Sequence, residues 1–131
     1  MAGSIESAIS RVAATTGVNR NALERVIFNE SRGNPHIGMN KTNYSAGIAQ
    51  VSKAVWEKYS KIPFSQATDP KNYEHNMMIG AKYLKENYKK FGNWVDAMKA
   101  YNVGPTALQK IKQGNRQLPK TTQNYIKNFK E

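Results

Sequence analysis

The chain has 131 residues, of which 39% are hydrophobic, and it has a net charge of +11 and no cysteine. This length fits one domain with one core, and the lack of cysteine excludes disulfides and thiolate metal sites. No apolar run approaches the roughly 20 residues of a membrane-spanning helix, and no secretory leader is recognisable at the start. The charge predicts attraction to polyanions, but the lysines are dispersed, which argues against a dedicated nucleic-acid tail.

The first two predicted elements are amphipathic helices. Apolar residues at helical spacing mark the first one: Ile5, Ile9 and Val12. This helix is expected to end near Gly17. Asn21 is the predicted N-cap of the second helix, with Glu24 three residues later as in a capping box, and Gly33 is expected to end it.

A loop and the longest helix follow. Residues 34–46 are rich in glycine and asparagine and predict a loop, after which helix is expected from about 47 to 59. Asp69 is a predicted cap, and Pro70 suits the first position of the longest helix. Gly92 is expected to end that helix.

Three shorter helices complete the prediction. Asn93 is expected to cap one helix, and Gly104 with Pro105 to break it and begin the next. A final short helix is predicted over about 122–129. Residues 1–131 are therefore expected to form a single all-α domain, because sustained polar and apolar alternation typical of strands is scarce.

Glu30 is the acid that stands out. Leu23, Val26, Ile27 and Glu30 share one helix face at i, i+3, i+4 and i+7, so three apolar positions are followed by a carboxyl. Burial on such a face disfavours the ionised form and raises the pKa, as a general acid requires near neutral pH. The alternative is a structural glutamate that pairs with Arg32 or a backbone amide.

The other ionisable residues form no recognisable site. Most of the remaining acids fall at helix caps or on polar faces, although Asp96 and Glu74 stay open as a second catalytic acid. His36 and His75 lack metal-binding spacing, so neither a metal nor a cofactor is expected.

Two further stretches have a composition that suits carbohydrate binding. The segment SAGIAQ, residues 45–50, is small and flexible and ends in an amide, while AYNVGP places Tyr101 and Asn102 against a glycine-proline break. Amides and aromatic rings recognise sugars through planar hydrogen bonds and contact area. The structural alternative makes Tyr101 a core aromatic and Asn102 a helix C-cap.

Five segments, taken in order, resemble the lytic transglycosylase family of the SLT type, which is related to goose-type lysozymes. They are ESRGNP (30–35), AGIAQ (46–50), DPKNYEHNMMIGAKYL (69–84), AYNVGP (100–105) and TTQNYIKNF (121–129). The resemblance spans about residues 5–129. It implies a lysozyme-like helical fold with a catalytic cleft.

The resemblance also implies an activity. The family cleaves the β-1,4 bond between N-acetylmuramic acid and N-acetylglucosamine in peptidoglycan, with one glutamate acting first as acid and then as base. Glu30 would protonate the glycosidic oxygen and then take the proton of the sugar's own 6-hydroxyl. The product would be a 1,6-anhydromuramic acid end, formed without water.

Further site residues are implied by matches to family motifs. The implied substrate-binding set is Ser31, Ser45, Gln50, Tyr101, Asn102 and Tyr125. The Tyr125 hydroxyl is expected to face Glu30, and Asn76 is interpreted as structural. The chain departs from the family at Ala49, where a methionine usually contributes to the wall of a sugar subsite.

Two other functions compete with this interpretation. A hydrolytic lysozyme of the same fold would use water instead of the 6-hydroxyl and would require a second acid. A charge-driven membrane-disrupting protein is suggested by the basic, partly amphipathic segment 125–130.

The expected partner is bacterial peptidoglycan, with anionic envelope polymers or lipids as further candidates. We expect a monomer that does not bind nucleic acid and acts at the bacterial wall. The lack of a recognisable leader favours a bacteriophage endolysin or virion-borne enzyme, held in the host cytoplasm before release or carried in the particle. A domain from a longer bacterial protein is the alternative.

Overall fold

The computed structural model describes residues 2–131, with Ala2 described by its backbone alone. Seven α-helices lie in this part of the chain: α1 Ala2–Thr16, α2 Arg20–Ser31, α3 Lys53–Tyr59, α4 Tyr73–Phe91, α5 Trp94–Val103, α6 Pro105–Lys112 and α7 Lys120–Tyr125. Two 3-10 turns, Phe64–Gln66 and Pro70–Asn72, connect α3 to α4. The predicted all-α fold class is confirmed, since extended pairing in residues 2–131 is limited to isolated bridges.

The start of α2 differs from the prediction. Asn19, not Asn21, is the N-cap, and its side chain accepts a hydrogen bond from the backbone N–H of Ala22 at 2.9 Å. The helix already begins at Arg20, so Asn21 lies in its first turn. Glu24 forms no capping box, because its carboxylate instead lies 3.4 Å from the guanidinium of Arg20.

Helix also resumes later than predicted after the long loop. Residues 46–51 form a tight turn closed by two backbone hydrogen bonds, Ala46 N–H to Val51 O at 2.9 Å and the reverse at 3.0 Å. The reason is that Gly47 and Gln50 adopt positive φ angles, which interrupt a right-handed helix. Helix α3 therefore starts after Ser52, whose hydroxyl caps it.

The core consists of two groups of buried side chains. One joins α1, α2, the 46–51 turn, α3 and α4, and the other joins α2, α4, α5 and α7. Helix α7 ends at Tyr125, so the predicted extension to 129 is wrong, but Tyr125, Ile126 and Phe129 still pack into the second group. This use of the C-terminal apolar residues within the fold argues against the membrane-disrupting alternative.

Within residues 2–131, no helix combines the length and apolar composition that crossing a bilayer requires.

Candidate active site

Glu30 lies in the last turn of α2, and its side chain is partly buried. Its predicted face is buried, with Leu23, Val26 and Ile27 fully inaccessible to solvent. Arg32 then adopts a left-handed conformation with φ of 57° and ends the helix. Desolvation raises the pKa of Glu30 from 4.5 to about 7, although a hydrogen bond from Tyr125 opposes the shift. The carboxyl is therefore about half protonated near neutral pH.

Helix α2 contacts Tyr125 at both its hydroxyl and its backbone carbonyl. Its buried hydroxyl donates to Glu30 Oε2 at 2.8 Å. Its backbone carbonyl accepts from Asn29 Nδ2 at 2.9 Å and from Arg25 at 3.4 Å. Burial and the nearby carboxylate of Glu30 raise the pKa of Tyr125 well above its usual value, so the phenol remains a donor.

A cleft of about 220 Å³ opens beside the carboxyl of Glu30. Its lining comes from α2, the loop after it, α3, α4 and α5: Glu30, Asn43, Ser45, Gln50, Val51, Ser52, Val55, Tyr83, Tyr101 and Asn102. Glu30 is the one carboxylate in this lining. The cleft therefore places amide, hydroxyl and aromatic groups around a single, partly buried acid.

Polar side chains of the loop organise one wall of the cleft. The Ser45 hydroxyl lies 2.7 Å from Asn43 Oδ1 and 3.1 Å from Gln50 Oε1. Gln50 Nε2 donates to the carbonyls of Gly47 at 2.9 Å and Gly38 at 3.2 Å. The amide of Gln50 thus shapes the loop as well as facing the cleft.

Asn76 anchors this loop to α4 from the buried side. Its Oδ1 accepts from the backbone N–H of Ala49 at 2.8 Å, and its Nδ2 donates to the carbonyls of Ala46 at 3.0 Å and Ala67 at 3.3 Å. A Cβ at Gly47 would lie 2.3 Å from Asn76 Nδ2, and Gly47 has φ of +79°. The geometry agrees with a structural role for Asn76.

Tyr101 links the same loop to α5. Its buried hydroxyl donates to the carbonyl of Ala49 at 2.5 Å, and its ring lies 5.3 Å from that of Tyr83. Gly80 makes this approach possible, because a Cβ there would lie 2.8 Å from Tyr101 Oη and 2.6 Å from Ala49 Cβ. Tyr101 is therefore both a core aromatic and part of the cleft wall.

Asn102 follows Tyr101 at the end of α5 and is exposed. Its Oδ1 accepts from the hydroxyl of Thr122 at 2.7 Å, which joins α5 to α7 beside the cleft. Gly104, not Asn102, caps the helix.

Of the implied substrate-binding residues, Ser45, Gln50, Tyr101 and Asn102 line the cleft, whereas Ser31 and Tyr125 do not, although the Tyr125 hydroxyl contacts Glu30. Ser31 is buried and its hydroxyl donates to the carbonyl of Ile27 at 3.2 Å, and it does not line the cleft. Ala49 is fully buried beside Gly80, so a side chain at this position contacts the core instead of forming the cleft wall.

Sequence reasoning missed three cleft residues that carry polar groups, Ser52, Asn43 and Tyr83. Asn43 is two residues before Ser45, and Tyr83 is one helical turn after Gly80, on the same face of α4. Asn43 and Tyr83 could therefore have been predicted from their spacing to residues already placed near the cleft.

The two alternative acids have ion-pair partners elsewhere. Glu74 lies 2.7 Å from Arg11, and this hydrogen bond lowers the pKa of Glu74. Asp96 lies 2.6 Å from Lys112; burial opposes ionisation there, but hydrogen bonds from Lys112 and Asn93 lower its pKa. Neither lines the cleft. In the described residues, no group of three or more histidine, aspartate or glutamate side chains could hold a metal ion.

The family model described as the transglycosylase SLT domain matches residues 7–124, which covers the cleft and every residue implied for it except Tyr125. No solved structure matches the chain. The matched region includes α2 through most of α7. The chain therefore belongs to the SLT transglycosylase family and is a lytic transglycosylase that acts on the peptidoglycan of the bacterial cell wall.

Proposed function

We propose that Glu30 is the single catalytic acid and base of this enzyme. The observation that carries the proposal is a partly buried carboxyl with a pKa of about 7 in a cleft whose lining contains no other carboxylate. A group with this pKa is protonated often enough to act as an acid, and its conjugate base is strong enough to accept a proton. One residue can then serve both halves of a reaction.

The reaction begins with proton transfer from Glu30 to the glycosidic oxygen between N-acetylmuramic acid and N-acetylglucosamine. The C1–O bond breaks, and the acetamido group of the muramic acid stabilises the positive charge that develops at C1. Glu30, now ionised, accepts the proton of the 6-hydroxyl as that oxygen bonds to C1. The products are a free N-acetylglucosamine hydroxyl and a 1,6-anhydromuramic acid end, and Glu30 regains its proton.

The hydrogen bond from Tyr125 supports this cycle. It is strongest when Glu30 is ionised, because charge-assisted hydrogen bonds are stronger than neutral ones. We propose that Tyr125 stabilises the carboxylate that forms after the first proton transfer. Its position depends on Asn29 and Arg25, which hold its backbone carbonyl.

The remaining cleft residues are proposed to bind the glycan. Ser45, Asn102 and the Oε1 atom of Gln50 offer polar groups to the sugar hydroxyl and acetamido substituents, while Tyr101 and Tyr83 provide aromatic surface. Ser31 is proposed to stabilise the end of α2 instead of binding substrate, since its hydroxyl already donates to Ile27.

The lack of a second carboxylate in the cleft supports anhydro-sugar formation over hydrolysis. Enzymes that hydrolyse glycosides generally use two carboxyl groups on opposite sides of the bond, one of them to activate water or to attack C1. Glu74 and Asp96 are held in ion pairs outside the cleft lining.

Digestion of purified peptidoglycan tests the proposal. Wild type should release muropeptides that are lighter by one water molecule than the corresponding hydrolysed products. Glu30→Gln should lower the rate of peptidoglycan cleavage by about 10²–10⁴-fold. Glu57→Gln is the matched control, since Glu57 is exposed on α3, outside the cleft lining. Hydrolysed reducing ends would overturn the anhydro mechanism, and full activity of Glu30→Gln would overturn the role of Glu30.

Residues 1–131 are proposed to act as one monomeric catalytic domain, because the cleft takes side chains from across the described chain. Delivery by a bacteriophage, as an endolysin or in the virion, stays a prediction.

A further inference from the structure

A second, larger concavity lies outside the catalytic cleft. It has a volume of about 640 Å³ and is formed by the end of α1, the end of α3 and one face of α4. It shares no lining residue with the cleft. We call it the lysine groove, because Lys58, Lys82, Lys85 and Lys89 line it, with Glu86 as its one acid.

Three of these lysines form a row along α4. Lys82, Lys85 and Lys89 follow i, i+3 and i+7 spacing and so lie on one helix face, over about 10 Å of helix length. Gathering like charges in a concavity is unfavourable for the folded chain on its own. Such an arrangement favours a ligand that carries several negative charges along its length.

The lysines differ in how they are used within the protein. Lys58 lies 2.7 Å from Glu86, and Lys85 Nζ donates to the carbonyl of Thr16 at 2.8 Å. Lys82 and Lys89 are exposed and, within residues 2–131, have neither a hydrogen-bond nor an ion-pair partner. Glu86 is therefore neutralised by Lys58, and Lys82 and Lys89 remain to meet a ligand.

A histidine also lines the groove, and the positive charge of a groove lysine affects its pKa. His75 lines the groove, and burial followed by the positive charge of Lys82 lowers its pKa. The imidazole is therefore neutral near pH 7 and adds no positive charge there.

The side-chain chemistry fits phosphate groups spaced along a polymer. The fork of arginine suits bidentate recognition of a single carboxylate or phosphate group, whereas lysine binds phosphate as a point charge that needs no fixed orientation, and the groove lining contains four lysines and no arginine. Single-stranded nucleic acids usually stack on aromatic rings. The tyrosine of the groove, Tyr59, is already engaged within the protein, since Lys58 lies 5.4 Å above its ring and its hydroxyl donates to Glu86. The groove therefore lacks the free aromatic ring that base stacking would favour.

We propose that the lysine groove binds the phosphodiester groups of an anionic polymer attached to the bacterial cell wall. The proposal goes beyond the cleft reaction and rests on family membership only for placing the enzyme at the wall. The groove would hold the enzyme to its insoluble substrate while the cleft cleaves a glycan strand. Binding at one site and catalysis at the other raise the effective concentration of the substrate.

Binding to cell walls tests the proposal with catalysis removed. All proteins carry Glu30→Gln, which keeps the walls intact if Glu30 is catalytic. Release of muropeptides is measured in the same samples, so that a failure of the proposed mechanism is distinguished from a failure of binding. The test variant adds Lys82→Gln and Lys89→Gln, and the control adds Lys110→Gln and Lys120→Gln, which remove the same charge from exposed positions on α6 and α7. Glutamine and lysine have similar helix propensities, so both variants should fold.

Each protein is sedimented with walls that retain their phosphodiester polymer and with the same walls after acid extraction of that polymer. We expect the test variant to lose affinity for the polymer-bearing walls by roughly tenfold, while the control changes by less than about twofold. On extracted walls the two variants should bind alike. With Glu30 restored, both should cleave a soluble uncharged glycan fragment at the wild-type rate.

Three results would overturn the proposal. An equal loss in both variants would mean that net charge, not the groove, drives binding. Equal binding to intact and extracted walls would identify peptidoglycan itself as the ligand. A larger loss of binding to a short DNA duplex than to walls would assign the groove to nucleic acid.

Discussion

The carboxyl of Glu30 is subject to two opposing influences. Burial at the end of α2 favours the neutral acid, while the Tyr125 hydroxyl favours the carboxylate. Because burial is stronger, the folded protein holds this proton more tightly than the unfolded chain does. The same property that suits Glu30 to proton transfer therefore reduces the stability of the fold at neutral and alkaline pH.

Glu30→Gln should stabilise the protein in a pH-dependent way. Between 4.5 and about 7 the folded state binds more protons than the unfolded state, so wild-type stability falls as pH rises through this range and is constant above it. A pKa shift of this size corresponds to a loss of about 3 kcal/mol in the free energy of unfolding above pH 7. Urea unfolding should show a gain of this order for Glu30→Gln near pH 8 and almost none near pH 4.

Glu57→Gln, at an exposed position, is the control for that comparison and should show no such gain. Equal stability of Glu30→Gln and wild type near pH 8 would contradict the raised pKa.

Tyr125→Phe tests the other influence. Removing the hydroxyl that lowers the pKa of Glu30 should raise that pKa above about 7, so the alkaline limb of the rate profile should move to higher pH. Loss of a hydrogen bond to a charged group should also reduce kcat by about 10- to 100-fold. Tyr88→Phe, at a position outside the cleft lining, should leave the profile as in wild type. An unmoved alkaline limb in Tyr125→Phe would argue against this coupling.

At the scale of the elements, the cleft depends on how closely the 46–51 turn approaches α4. Gly80 is the point of contact, where Ala49 and the Tyr101 hydroxyl occupy the space a side chain would need. Asn76 fixes the same turn through two hydrogen bonds, one with Ala49 and one with Ala46. The position of the wall that carries Gln50 thus follows from helix α4, about 30 residues further along the chain.

Gly80→Ala should therefore displace the turn. The added methyl group would lie 2.6 Å from Ala49 Cβ, and overpacking of this kind costs about 1–3 kcal/mol. We expect a lower midpoint of urea unfolding together with a lower rate of peptidoglycan cleavage. Gly3→Ala in α1, where nothing lies within 4 Å of the new atom, should be neutral or stabilising by up to about 1 kcal/mol. Wild-type stability of Gly80→Ala would show that the turn is free to move.

At the scale of the whole molecule, charge and catalysis are separated. The net charge of +11 is spread over the surface, and the cleft lining contains one acid and no basic residue. Long-range attraction should therefore act on the encounter with an anionic wall more than on the chemical step.

The rate of wall digestion should fall as ionic strength rises. The Debye length shortens from about 10 Å at 0.1 M to about 3 Å at 1 M salt, which screens attraction between exposed charges. Cleavage of a soluble uncharged glycan fragment, measured across the same salt range, should change much less. A wall-digestion rate that is constant over this range would contradict a role for the charge.

Much of the fold and part of the site were predictable from local patterns. Helical periodicity located all the long helices, since a helix that buries one face has apolar residues three or four positions apart. The same periodicity selected Glu30. It misplaced the start of α2 by two residues, because Asn19 and not Asn21 is the N-cap. It misplaced the start of α3 by about six residues, because the 46–51 turn interrupts the helix there.

The sequence by itself determined the all-α class, the family and the acid that belongs at the end of α2, because each depends on residues near one another in the chain. Only the tertiary structure decided which groups surround that acid. It placed Ser31 and Ala49 in the core, and it engaged the amide of Gln50 in hydrogen bonds within its loop. It also placed Tyr83 and Asn43 in the cleft lining and the Tyr125 hydroxyl against Glu30. These outcomes depend on contacts between helices far apart in sequence, and such contacts exist only once the helices have packed.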